Sequence, residues 1–155
     1  MRFLVASLVV GLLVSGLAGL TYGDYHSQYQ YAPPARAGQA ADVKGQLKTA
    51  VTHAGFAGEG NALGYVQQHL GHALNCLEGT RGKNFNQAWG HVCQGMGNGI
   101  LADLKGAPGG GDFMLLAEQA DALAVAGVRS KNLTEARMAA KGVAALLNII
   151  AENLK

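Results

Sequence analysis

Charge is scarce in this chain. Only 14% of its 155 residues are Asp, Glu, Lys or Arg, and the net charge is +2. Hydrophobic residues make up 49%. That balance is too apolar and too lightly charged for a disordered chain. The basic residues are scattered and form no Lys/Arg run, so no nucleic-acid partner is expected. No internal repeat recurs at a fixed period. The 23 glycines follow no collagen-like spacing. They punctuate loops and let helices approach closely.

The signatures of several enzyme and cofactor classes are missing too. There is no Cys-x-x-Cys-His, which argues against covalent c-type heme. There is no His-Glu-x-x-His helix of a metalloprotease, and no Glu-x-x-His pair of a di-iron bundle. The stretch Gly95-Met96-Gly97-Asn98-Gly99 is glycine-rich. It lacks the Lys and the preceding strand that a phosphate-binding loop needs. Ser and Asp are sparse near the histidines, so no hydrolase triad is indicated. Nothing pairs a nucleophile with a base, and catalysis is the least supported reading.

What is present points to a small exported helical protein. The length suits one domain. Residues 1–23 read as a signal peptide. Arg2 gives a positive start, Phe3 to Leu20 carry no charge, and Thr21-Tyr22-Gly23 precedes the expected cut. An uncleaved anchor is the alternative, and the only membrane contact expected. The apolar run is at the short end for spanning a bilayer. The expected location is periplasmic or extracellular. Residues 24–41 carry Tyr25, His26, Tyr29, Tyr31, Pro33 and Pro34 in a polar stretch without period, which reads as a flexible linker.

Residues 42–155 read as an all-α, antiparallel bundle of about four helices. The first begins at Asp42 as a cap, and buries Val43, Leu47, Ala50, Val51 and Ala54 on one face. Residues 55–60, opened and closed by glycine, are expected to end it. The second covers about 61–78, with Gly79 as its stop. A loop of about 20 residues follows, long enough to imply a function or a tether. A short helical turn is expected at 100–104 and a break at 106–111. The third helix runs over about 112–126, capped by Asp112, mostly buried, and stopped by Gly127. The fourth starts near Asn132 or Thr134. Its Ala136, Ala140, Val143, Leu147, Ile150 and Leu154 alternate in steps of four and three, a core stripe. Asn132-Leu133-Thr134 also matches a glycosylation acceptor, but a helix cap is the preferred reading.

The second helix has three faces rather than two. Leu63, Val66, Leu70, Leu74 and Leu77 make an apolar face. Gly64, Gln67, Gln68, Gly71, Asn75 and Glu78 make a polar face expected to meet water. Tyr65, His69, His72 and Cys76 share a third sector of about 60°. The third face implies that this helix meets something besides core and solvent.

Two cysteines in an exported chain favour a disulfide. Pairing Cys76 with Cys93 would pin the long loop and stabilise the fold by about 3 kcal/mol. It would also draw His91 toward the end of the second helix. His69, His72 and His91 then become candidate ligands of one transition metal, such as Cu, Zn or Fe. His53 fits less well. With the first turn centred near Glu59 it lies level with Tyr65, and it joins only through a shifted register. Tyr65, His53, Phe85, Trp89 and Met96 are left as supporting or partner-contact residues. Two further readings stand beside the metal. One is a metal-free interaction module, its disulfide steadying a loop whose Phe85 and Trp89 meet an unidentified protein partner. The other is noncovalent heme, with His72 and Met96 as axial ligands.

Overall fold

The computed structural model describes residues 41–155. The signal peptide expected over 1–23, and all but the last residue of the linker expected over 24–41, lie outside the described residues. Five helices appear among those described, and no strand: α1 (Val43–Glu59), α2 (Leu63–Glu78), α3 (Ile100–Asp103), α4 (Met114–Arg129) and α5 (Leu133–Asn153). The four long helices share one core. α1 packs on α2 and α5, and α4 packs on α2 and α5.

Caps explain where α1 and α5 begin and where α2 ends. Asp42 accepts from the Gly45 amide (2.8 Å) and opens α1. Asn132 accepts from the Glu135 amide (3.1 Å) and opens α5, so this Asn serves as a cap. Gly79 stops α2 at a φ of 65°, a left-handed backbone that glycine adopts without a Cβ clash.

Three glycines lie inside helices where the sequence suggests a stop. α1 continues through Gly55 and Gly58 to Glu59. Gly58 is buried, a Cβ there would sit 3.0 Å from Lys141 Cγ, and its carbonyl accepts from Arg137 Nε (3.1 Å). The glycine lets α5 close on α1. Gly127 likewise lies inside α4, where a Cβ would overlap the Leu70 side chain. Close packing with α2 and α5 outweighs the roughly 1 kcal/mol helix penalty of glycine. α4 therefore ends at Arg129, past the expected stop.

α4 differs from expectation in two other ways. Asp112 does not cap it but lies in a 3-10 turn, Gly110–Phe113, that leads in. Nor is the helix mostly buried. Only Ala117, Ala120, Ala124 and Gly127 are covered, while Leu115 is 67% exposed. The α5 stripe is buried throughout, from Ala136 to Leu154. None of the described helices is long and apolar enough to cross a membrane.

Candidate metal centre

Beyond Gly64, which is exposed, the polar face of α2 is not a water face. It is roofed by the loop over residues 80–99, and its side chains hold that loop's backbone. Asn75 is fully buried and uses its whole carboxamide. Its Nδ2 donates to the carbonyls of Asn86 (2.9 Å) and Gly90 (2.6 Å), and its Oδ1 accepts from the Asn86 amide (3.0 Å). Glu78 accepts from the backbone and side chain of Asn84, each at 2.6 Å. Gln68 donates to the Trp89 carbonyl (2.8 Å). Gln67 turns the other way and donates to the carbonyls of Val128 and Ser130, each at 3.0 Å. Gly71 leaves room for the Trp89 indole, which a Cβ there would overlap.

The disulfide fastens this roof. Cys76 and Cys93 are bonded, with Cα atoms 5.3 Å apart, inside the usual range. The far end of the loop and α3 behind it are tied to the start of α1. Met96 O accepts from the Asp42 amide (2.7 Å), and Gln46 Nε2 donates to Asp103 Oδ2 (2.9 Å).

Beneath the roof three histidines converge. His53 from α1 meets His69 and His72 from α2. His53 Nδ1 is 3.1 Å from His69 Nδ1 and 3.1 Å from His72 Nδ1. One nitrogen from each ring lies within 4.8 Å of the others, close enough for all three to hold one ion. The three residues are 4%, 2% and 4% exposed in chain order. Aromatic rings wall the group on one side. Phe56 stands edge-on to His53 (5.7 Å) and to His69 (5.4 Å), and Tyr65 lies 4.3 Å from His69 between ring centres. Beyond Phe56 and Tyr65 an open cleft of about 250 Å³ is lined also by Glu59, Gly60 and Asn61.

The membership of this group departs from the sequence reading at one position. His69 and His72 belong to it, but His53 takes the place expected for His91. The reason is register. α1 ends at Glu59 and α2 starts at Leu63, so the turn centres on Asn61 rather than Glu59. His53 and His69 are each eight residues from Asn61, and therefore lie level. A shift of two residues in the turn moves the pairing by four, one helical turn.

His91 faces Phe85 instead, with ring centres 5.2 Å apart. Its burial lowers its pKa, because the charged form is harder to solvate there. Met96 places its sulfur 3.9 Å from the Thr49 hydroxyl, while His72 turns Nδ1 to His53. That is not the His72–Met96 pair expected for heme. Phe85 and Trp89 are half-buried and packed inward, on His91 and Gly71.

A second polar site lies on the other side of Glu78. Asp121 on α4 has its pKa raised to about 6, chiefly by burial, then by the charge of Glu78 and a hydrogen bond with it, with Lys83 acting in the opposite sense. Its carboxyl group has no neutralising metal-ligand set around it; the one described group of three or more His, Cys, Asp or Glu suited to an ion is the histidine trio.

Comparison with known proteins returned no match, whether to protein-family models, to curated proteins or to solved structures.

Proposed function

We propose that this is an exported protein that holds one late first-row transition-metal ion through His53, His69 and His72. The observation that carries the reading is the position of His53 Nδ1, 3.1 Å from two other ring nitrogens. A neutral imidazole nitrogen has either one proton or one lone pair. It cannot make two full hydrogen bonds at once. One cation at the centre accepts a lone pair from each of the three rings and serves all of them together. Zn–N bonds of about 2.0–2.1 Å at tetrahedral angles place ligand nitrogens about 3.4 Å apart, a few tenths of an ångström from the two distances to His53 Nδ1, and the three nitrogens together lie within 4.8 Å.

Imidazole suits copper, zinc and iron. The near-complete burial of the three rings favours holding an ion over turning over a substrate, so the reading is storage or delivery rather than catalysis. The disulfide supports an oxidising compartment.

Equilibrium dialysis of tag-free protein against copper, zinc and iron(II) tests this. The expected result is one ion per chain, lost in His69→Ala while the helical circular dichroism persists. No uptake of any of the three would leave the trio a hydrogen-bonded cluster. The search would then pass to a protein partner.

A further inference from the structure

α4 carries an uncovered outer face. Its buried residues, Ala117, Ala120, Ala124 and Gly127, turn toward α2 and α5. On the opposite side Leu115, Glu118, Gln119, Ala122, Ala126 and Arg129 are all exposed. They fall within one sector of about 100° around the helix axis. α5 widens this face. A Cβ at Gly142 would sit 2.9 Å from Leu123 Cδ1, which sets the register of the antiparallel pair. That register brings Leu115 level with the turn of α5 that carries Ile149. Leu115, Leu123, Met138 and Ile149 are the exposed large hydrophobic side chains among the described residues. All four lie on the α4–α5 half. Apolar exposure gathered on one side marks an interaction surface better than the same residues scattered singly.

The charges on α4 point to the partner. Glu118 stands on the first half of the stripe and Arg129 on the last, with Ala122 and Ala126 between them. Among the described residues the one ion pair joins Lys141 to Glu59, so neither Glu118 nor Arg129 is ion-paired within them. Arg129 Nη2 donates to Asn84 Oδ1 (3.0 Å), a neutral acceptor that leaves the charge uncompensated.

A two-fold axis across α4 at the level of Ala124 lays a second copy of the helix antiparallel on the first. Ala122 then meets the partner's Ala126, and these small side chains let the two helices approach closely. Glu118 comes within about 1.5 Å, one residue's rise, of the level of the partner's Arg129. The symmetry supplies the reciprocal pair. A parallel arrangement sets Glu118 on Glu118 and Arg129 on Arg129, like on like. The stripe is its own complement in one orientation only.

We propose that α4 is a self-association face, through which two copies of this chain form a two-fold dimer with antiparallel α4 helices. α4 has 16 residues, about 24 Å of helix. A contact of one such helix on another is at the small end of protein interfaces, so the dimer is reversible. The histidine trio lies on α1 and α2, outside the interface, and the proposal stands apart from the metal reading.

Sedimentation equilibrium of the tag-free exported chain tests it, in EDTA so that no ion bridges two copies. The mass is expected to rise from one chain toward two between about 1 µM and about 1 mM. Ala122→Lys sets two like charges together at the axis, on a residue exposed in the single chain. That variant is expected to stay monomeric with unchanged circular dichroism. Glu118→Arg alone and Arg129→Glu alone should each weaken the dimer about tenfold. The double reversal should restore it to within about threefold of wild type. The rescue distinguishes a pair across the interface from loss of the Arg129–Asn84 bond, which the double reversal does not mend. A monomer at every concentration would overturn the proposal and leave the face to a different protein. A dimer that persists in Ala122→Lys, or single reversals that the double does not rescue, would overturn it by placing any association elsewhere on the molecule.

Discussion

The two halves of this molecule bury different things. α4 and α5 cover alanine, glycine, valine, leucine and isoleucine. α1 and α2 contribute every buried polar residue among those described: Gln46, His53, His69, His72 and Asn75. A buried polar side chain stabilises only if its partners are in place, and is costly otherwise. Concentrating them all in one half separates scaffold from site. α4–α5 supplies apolar burial. α1–α2 spends its interior on a histidine trio and on holding the loop above it.

The separation predicts opposite effects for substitutions in the two halves. The largest change in stability is expected in the scaffold. Leu147→Ala empties a fully buried position on α5, and should cost about 3 kcal/mol in chemical denaturation. One-to-one metal binding should survive below the unfolding transition. Loss of metal at full folding would show that the halves are not separable.

The next effect belongs to the roof. Asn75→Ala removes three hydrogen bonds to the loop backbone and should cost about 2 kcal/mol. The loss should appear first as faster amide exchange at Asn86 and its neighbours, with α5 still protected. Uniform loss of protection across α5 would join roof and scaffold into one cooperative unit.

The smallest effect sits at the seam, where Asp121 of α4 meets Glu78 of α2. The folded protein holds the Asp121 proton up to about pH 6, whereas an unfolded aspartate releases it near pH 4. Between those values the folded state binds more protons, so this group's contribution to stability falls as pH rises. Asp121→Asn should therefore be more stable than wild type at pH 7, by about 1 kcal/mol after discounting for the half-exposed position. It should also show a flatter stability profile between pH 4 and pH 6. An unchanged profile would remove the carboxyl group from the account.

The same division governs what the sequence discloses. The α5 stripe is legible because one apolar period decides its burial, and Ala136 through Leu154 are covered as that period implies. The disulfide is legible from cysteine count and spacing. His69 and His72 stand out because a third face on α2 has no place in a simple amphipathic helix. His53 is harder to place, since its partners depend on where a glycine-rich turn is centred, and two residues there move the register by a full turn. The roles of Gln68 and Asn75 are hidden for another reason. A carboxamide on a polar face looks the same whether it meets water or the backbone of a loop, and only the folded loop distinguishes the two. Gly58 and Gly127 show the same limit, because a helix stop and a close helix contact call for the same residue.

Metal content of His53→Ala beside His91→Ala tests the account most directly. Tag-free wild type, loaded and then cleared of excess ion, should carry one metal per chain. His91→Ala should carry the same, and His53→Ala should carry none while keeping its helical circular dichroism. Metal retained in His53→Ala, or lost in His91→Ala, would contradict the assignment of the site to the α1–α2 trio.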